Sequence, residues 1–131
     1  MGIKAQNKAG EYFRNNVWWW RQLWVFISIV AESNKIFSES DYTKGNFNNG
    51  DEISAQKTKK LVEALELNLV NSNAKLHSRL IARLVRSAKK NNKNLTAQDK
   101  NYDWNEAYPF TITNLKEFIK FAKNSGGFRI C

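Results

Sequence analysis

The most apolar stretch of the chain lies near its start, where residues 15–24 read NNVWWWRQLW and hold four of the five tryptophans. A helix over residues 11–34, turning by about 100° per residue, would be apolar on nearly every side except for a narrow stripe that contains Arg14 and Arg21. A helix of this kind is usually buried on most sides. The pattern predicts a central helix whose tryptophans belong to the core. A stacking platform for a ligand and an interface with another chain are the alternatives.

Two amphipathic helices are predicted over residues 52–70 and 74–91, because leucine recurs at every fourth position in both. Such stripes ordinarily face a core. Asp51 or Ser54 is expected to cap the first of these helices, since both side chains accept hydrogen bonds from free backbone N–H groups. The repeated residues are Leu61, Leu65 and Leu69 in the first helix, and Leu76, Leu80 and Leu84 in the second.

Loops are expected on either side of these two helices. Residues 37–50 are rich in Ser, Asn, Asp and Gly, and residues 91–105 are mostly polar, a composition that favours turns. Trp104 and Tyr108 are expected to anchor the second loop to the core.

One further helix is predicted near the C-terminus. It is expected to begin near Thr113 or Asn114, with Glu117 completing a capping box, and to end at the glycines of the sequence SGG at residues 125–127. The alternation of Phe128 and Ile130 indicates a segment that packs back on the core or forms a short strand.

No pair of strands is evident elsewhere in the sequence. The predicted fold class is therefore all-α, with about four helices arranged around the tryptophan-rich helix in a single domain that spans residues 1–131. The length of 131 residues is typical of one domain.

Composition narrows the class of protein. Twenty-one basic and twelve acidic residues give a net charge of +9, which favours anionic partners. Cys131 is the only cysteine, so neither an internal disulfide nor a zinc cluster is expected, and a cytoplasmic location is the default. The apolar run over residues 17–31 is interrupted by Arg21 and is shorter than the roughly 20 residues that cross a bilayer, so no membrane role is expected.

Catalysis has little support in the sequence. His77 is the only histidine, and its place beside the leucine stripe is typical of a core or interface residue. Asp41, Asp51 and Glu52 flank one loop, where acidic residues usually cap helices. No glycine-rich phosphate loop is present. A non-enzymatic protein without a cofactor is therefore expected.

The helix over residues 74–91 carries a basic stripe. Its five cations fall on an arc of about 80° that no acidic residue interrupts. Such a stripe is a solvated surface, a site for the phosphates of a nucleic acid or nucleotide, or a site for an acidic protein. The residues are Lys75, Arg79, Arg83, Arg86 and Lys90.

Both ends of the chain resemble a family of small, uncharacterised bacterial and phage proteins. Residues 12–24 read YFRNNVWWWRQLW, against a family motif of roughly F-R-x-N-x-W-x-W-R-P-L-W, and residues 125–131 read SGGFRIC, against S-G-G-F-x-I-C. Gln22 replaces the usual proline. Residues 71–103 lack the C-x-x-C motifs of many members, so a zinc site is not implied. The resemblance implies an accessory protein of a phage or another mobile element.

The arginines of the first helix are expected to be paired, because a buried unpaired charge is costly. A polar cluster centred on Arg21 is predicted to meet residues 125–131. A structural role is one interpretation of this cluster. The other is a small anion or nucleotide pocket lined by Trp18, Trp20 and Arg21.

These patterns predict a small phage-related or mobile-element-related binding protein. Its basic helix face would bind nucleic acid or a phosphorylated or nucleotide ligand. The alternative is a protein inhibitor that blocks a host defence factor through an acidic surface on that factor. The expected location is cytoplasmic, in the host cell if the protein is encoded by a phage.

Overall fold

The computed structural model describes residues 2–8, 10–46, 51–92, 110–123 and 125–130. Within these residues, five helices and one four-stranded antiparallel sheet are present. In chain order the elements are β1 (Gly2–Asn7), β2 (Tyr12–Asn16), α1 (Val17–Ser33), α2 (Glu39–Lys44), β3 (Asp51–Ser54), α3 (Ala55–Val70), α4 (Asn73–Asn92), α5 (Ile112–Ala122) and β4 (Gly127–Ile130).

The sheet shows that the all-α prediction is wrong. The strand order is β2-β1-β4-β3, so the strand nearest the C-terminus lies between strands from the N-terminal region and from the middle of the chain. Each strand has only four to six residues, and such short segments carry a weak alternating pattern. The two partners of β4 are far away from it in the sequence, so local periodicity could not show those pairings.

The hairpin formed by β1 and β2 occupies the region where the first helix was expected to begin. The two strands pair from Gly2 with Asn16 to Gln6 with Tyr12. Asn7 Oδ1 accepts a hydrogen bond from the backbone N–H of Glu11 at 3.0 Å. The tryptophan-rich helix therefore begins at Val17, immediately after β2.

Strand β4 is formed by the C-terminal sequence GFRI and lies inside the sheet, between β1 and β3. Helix α5 ends at Ala122, with Lys123 as its C-cap, and the two glycines introduce a strand instead of capping the helix. Gly127 has a φ of +103°, and a Cβ there would lie 2.8 Å from the carbonyl oxygen of Ile53 on β3. A glycine is needed because the backbone is left-handed and the neighbouring strand is close. The short strand suggested by Phe128 and Ile130 is present.

One face of the sheet is covered by helices and the other faces solvent. Pairing in register places Gln6, Arg129 and Glu52 in one row on the outer face. The inner face carries buried apolar side chains, from Ala5, Phe13, Ile53, Phe128 and Ile130. The protein is thus a two-layer α/β structure with its core between sheet and helices.

Phe118 of α5 lies at the centre of this core. Its ring centroid is 5.5 Å from those of Phe13 and Phe128, with the rings edge-on in both pairs, and 6.2 Å from that of Trp20. Trp20, Leu23 and other residues of α1 are fully buried. The prediction that α1 contributes residues to the core is therefore confirmed for these residues. Its opposite side is open to solvent, however, so α1 is not surrounded.

The buried tryptophans hold the segment that follows α1. Trp20 Nε1 donates a hydrogen bond to the carbonyl oxygen of Gly45 at 2.7 Å, and Trp24 Nε1 donates to that of Tyr42 at 2.9 Å. The two indole rings are stacked at 5.6 Å, and Trp24 stacks on Phe37 at 5.7 Å. Helix α2 lies within the stretch predicted to be a loop, and these contacts fix its position.

Asp41 joins α2 to α3 through a buried carboxylate that is 1% exposed. Oδ1 accepts a hydrogen bond from Lys44 Nζ at 2.7 Å. Oδ2 accepts bonds from the Ser38 N–H at 2.9 Å and from Lys57 Nζ of α3. Burial alone raises the pKa of Asp41, but the hydrogen bonds from Lys44, Lys57 and Ser38 outweigh it and hold the pKa well below its ordinary value.

The helix starts agree with the sequence at some positions only. Ser54 caps α3 by accepting from the Lys57 N–H at 3.2 Å, which was one of the two predicted caps. Helix α4 agrees with the predicted range to within one residue at each end. Helix α5 is capped by Thr111, which accepts from the Asn114 N–H at 3.2 Å. Asn114 is therefore inside the helix and is not its cap.

A candidate partner-binding surface on helix α4

Helix α4 packs on the protein through a narrow strip of its surface. Ala74 is fully buried, and His77 and Ser78 are half-buried. Ser78 Oγ donates a hydrogen bond to the carbonyl oxygen of Phe110 at 3.1 Å. The His77 ring lies 5.0 Å from the ring of Phe26 and 4.9 Å from that of Phe110. These contacts fix which side of α4 faces solvent.

The leucine stripe of α4 is on the solvent side. Leu76, Leu80 and Leu84 are 58%, 51% and 53% exposed, so the prediction that they face the core is wrong. The apolar arc from Leu76 to Val85 covers about 180° of the helix. Among its described side chains, Ala74 and Ile81 contact the core, and His77 contacts the rings of Phe26 and Phe110. The remaining apolar surface has no covering element among the described residues.

The basic stripe of α4 lies directly beside the leucines. Lys75, Arg79, Arg83 and Arg86 are all exposed. Lys90 belongs to the same helix, but its side chain lies outside the described residues. We define the α4 face as these four exposed cations together with Leu76, Leu80 and Leu84. From residue 75 to residue 86 it is about 16 Å long, at about 1.5 Å per residue.

The cations of the α4 face form no ion pair within the described part of the chain. The ion pairs found there join Lys8 to Glu52, Lys44 and Lys57 to Asp41, and Lys123 to Glu66. The charge of four side chains is therefore directed into solvent, beside exposed leucines.

The outer face of the sheet is a contrasting basic surface. Arg129 Nε donates a hydrogen bond to Gln6 Oε1 at 3.1 Å. Lys8 lies 3.8 Å from Glu52, and the Arg14 guanidinium lies over the ring of Tyr12 at 5.3 Å. These cations already have partners in the chain, so this surface is less suited to binding an anion than the α4 face.

A groove borders the α4 face where the ends of α1 and α3 meet the start of α4. Its volume is about 520 Å³. We call it the His77 groove. Its apolar lining consists of Phe26, Ile29, Val30, Leu67, Leu76 and Leu80, beside the ring of His77. Leu76 and Leu80 belong to both the groove and the α4 face, so the two are continuous.

The amide side chains at the groove already have partners in the chain. Asn34 Nδ2 donates to the carbonyl oxygen of Val30 at 2.8 Å, and Asn68 Nδ2 donates to that of Ala64 at 2.7 Å. Asn73 Nδ2 donates to Asn68 Oδ1 at 3.1 Å. A molecule that enters the groove therefore meets mainly apolar surface.

His77 packs beside core aromatic rings, but one of its ring nitrogens is unpaired. Its Nε2 is buried and has no hydrogen-bond partner among the described residues. Burial lowers the pKa of His77 below its ordinary value, so the ring is neutral near pH 7. Among the described residues, no group of three His, Cys, Asp or Glu side chains could hold a metal ion.

The structure separates the residues of the predicted anion pocket. Trp20 is fully buried, and its N–H is bonded to Gly45, whereas Arg21 is exposed on the surface of α1. The Trp18 side chain lies outside the described residues. Arg14 is on β2, not on α1, so the two arginines do not share a buried helical stripe as expected.

Several other sequence predictions concern residues outside the described part of the chain. Trp104, Tyr108, Cys131 and the loop predicted over residues 91–105 lie wholly or mostly outside the described residues. In the part of the chain that the structure covers, no helix has the length and apolarity needed to cross a membrane. Comparison with family models, curated proteins and solved structures found no match to this chain. The resemblance of its two terminal motifs to a phage and bacterial family therefore stays a prediction.

Proposed function

We propose that this protein is a non-enzymatic binding protein that holds an acidic partner protein on its α4 face. The observation that carries the proposal is the exposure of Leu76, Leu80 and Leu84 beside arginines that form no ion pair in the described residues. Exposed apolar patches with a polar border commonly mark interaction sites.

Leucine and arginine together favour a protein over a nucleic acid. A phosphate backbone is bound by cations and hydrogen-bond donors, and leucines have no role in such contacts. A protein interface combines an apolar centre with a polar rim, and arginine is enriched there. Arginine also forms bidentate hydrogen bonds with carboxylates. The α4 face matches the second description.

A nucleic acid or phosphorylated ligand is the second candidate. It is favoured by the net charge of +9 and by the absence of acidic residues along α4. The more specific interpretation, an inhibitor of a host defence factor in the host cytoplasm, rests on the resemblance of the terminal motifs alone.

The experiment compares carboxylate and phosphate probes on two charge-reversal variants. Arg79→Glu/Arg83→Glu alters the α4 face, and Lys116→Glu/Lys120→Glu alters exposed lysines with the same spacing on α5. Each substitution changes the charge by two units, so both variants go from +9 to +5. The probes are poly-L-glutamate and double-stranded DNA, measured at two salt concentrations.

We expect poly-L-glutamate binding to weaken about tenfold in the α4 variant, because two contacts become repulsions, and to change little in the α5 variant. Equal weakening in both variants would mean that only net charge matters and would refute the proposal. Tight DNA binding, lost only in the α4 variant while poly-L-glutamate is ignored, would establish the nucleic-acid candidate instead.

A further inference from the structure

We infer that the partner presents an amphipathic helix, with carboxylates along one flank and apolar side chains that enter the His77 groove. This inference rests on the proposed function and specifies the shape of the acidic partner. The groove and the exposed leucines are continuous, so one ligand can contact both at once.

The dimensions of the surface suit a helix. Leu76, Leu80 and Leu84 extend over eight residues, which is about 12 Å of α4. A partner helix laid beside them would present side chains at i, i+4 and i+7 over about 10 Å, which is a similar distance. The basic stripe runs parallel to the leucines for a similar length, so carboxylates on one flank of the partner would meet Arg79 and Arg83.

The chemistry of the groove selects apolar side chains. Its volume of about 520 Å³ lies within the range of roughly 300–1,000 Å³ typical of ligand pockets. Ile29 and Leu67 are about half exposed on its wall, and the asparagine side chains are bonded within the chain. Burial of this apolar surface would stabilise a complex.

The charge of α4 argues against a second copy as the occupant. In a symmetric antiparallel pair of helices, each flank of one helix lies against the same flank of the other. The stripe that contains Arg79 and Arg83 would then face the same stripe of the other copy, and the charges would repel. A partner with carboxylates on its flank has no such cost.

The test uses two fluorescent peptides of identical composition. One is a 16-residue sequence of Leu, Ala and Glu arranged to place leucines on one helical face and glutamates on its flank, and the other is a scrambled order without such a face. The variants are Ile29→Ser, on the wall of the groove, and Val25→Ser, one turn earlier on α1 and outside the lining. The two side chains are matched, at 47% and 48% exposure.

We expect the amphipathic peptide to bind about tenfold more tightly than the scrambled one, because only it uses both leucines and cations. Ile29→Ser should weaken it about fivefold, since it removes apolar surface from the contact, whereas Val25→Ser should not. Unchanged circular dichroism spectra and melting temperatures establish that both variants are folded.

The other outcomes separate this inference from the proposed function. Equal, salt-sensitive binding of both peptides would overturn the helix inference and leave charge recognition standing. No binding of either peptide, or of poly-L-glutamate, would overturn both. Binding to vesicles of anionic phosphatidylserine that depends on Ile29, without peptide binding, would assign the surface to a membrane. A dimer by sedimentation that is lost on Leu80→Ser would assign it to a second copy.

Discussion

Replacing Gly45 by alanine tests whether the tryptophans hold the segment after α1 as the structure shows. A Cβ at Gly45 would overlap Cε2 and Cδ2 of Trp24. The backbone itself would accept alanine, because φ and ψ of Gly45 are −73° and −12°. In an open site this substitution would stabilise the protein by about 0.4–1 kcal/mol through the unfolded state. The sign of the effect therefore depends on whether Trp24 can move.

Trp24 has little freedom to move away. Its ring is stacked between Trp20 and Phe37, and its Nε1 donates to Tyr42 O at 2.9 Å. Overpacking a core site costs about 1–3 kcal/mol, and loss of the indole hydrogen bond costs about 1 kcal/mol more. After the gain through the unfolded state, a net destabilisation of about 2 kcal/mol remains. In a chain of this size that lowers Tm by roughly 6–10 °C.

Urea unfolding and thermal melts of Gly45→Ala measure this loss. A double-mutant cycle with Trp24→Phe separates the clash from other effects, since alanine should cost at least about 1 kcal/mol less beside the smaller ring. Gly10→Ala is the control for backbone strain alone, because Gly10 has a φ of +83° and no atom within 4 Å of the added Cβ. A neutral or stabilising Gly45→Ala, or full additivity in the cycle, would refute the packing of Trp24 on Gly45.

Three further substitutions, the last compared with a change at a buried leucine, test the contacts of Asp41, the buried nitrogen of His77 and the exposure of Leu80. Asp41→Asn is expected to cost about 2–3 kcal/mol at pH 7, because two lysines lose a buried carboxylate but stay partly solvated. Since the pKa of Asp41 is lowered in the folded protein, its contribution to stability is complete above about pH 5 and is lost as pH falls below about 4. Urea unfolding curves of the two proteins should therefore converge in acid, and a constant difference would contradict this. His77→Phe is expected to stabilise the protein by about 1 kcal/mol, because it removes a buried nitrogen that has no partner among the described residues. Since the pKa of His77 is lowered in the folded protein, the wild type should lose stability relative to the variant as pH falls below about 6.5, and equal pH profiles would be evidence against this. Leu80→Ser is expected to change the free energy of unfolding by less than about 1 kcal/mol, because Leu80 is exposed. The same measurement on Leu65→Ala, at a fully buried leucine, should show a loss of about 2–5 kcal/mol. Similar losses for the two variants in calorimetry would show that Leu80 is not a surface residue.

The sequence predicted the long helices well because their evidence is local. Helix α4 carries a regular leucine repeat and occupies Asn73–Asn92, close to the range predicted for it. Ser54 was one of two predicted caps of α3, and it was recognisable because a cap and the N–H that it accepts from are only three residues apart. Such features depend on neighbours along the chain, and periodicity shows them directly.

The pairings of β4 were missed because their evidence is not local. Ala5 of β1 pairs with Ile130 of β4 at the opposite end of the chain, and no short window of sequence contains both. Residues 12–16 also run directly into the tryptophan-rich helix, so strand β2 was taken for the start of that helix. Asn7 and Gly10, which favour turns, could have indicated the turn that joins β1 to β2.

The candidate site was predicted in part. The sequence identified the cations of α4 but placed the leucines in the core, because a periodic stripe does not say whether the same chain or a partner covers it. The width of the apolar arc could have indicated that part of it stays exposed. An arc of about 180° from Leu76 to Val85 is broader than one helix needs to bury against a small core, and the excess is the surface that the structure leaves open.

Chemical-shift mapping by NMR is the most direct measurement of whether the α4 face and the His77 groove receive the partner. The ¹⁵N-labelled protein is titrated with the acidic amphipathic peptide while the backbone amides are followed. We predict the largest shifts at residues 73–86 of α4 and at the ends of α1 and α3, around Ile29 and Leu67. Shifts concentrated on the outer face of the sheet, around Gln6 and Arg129, would contradict the assignment of binding to α4.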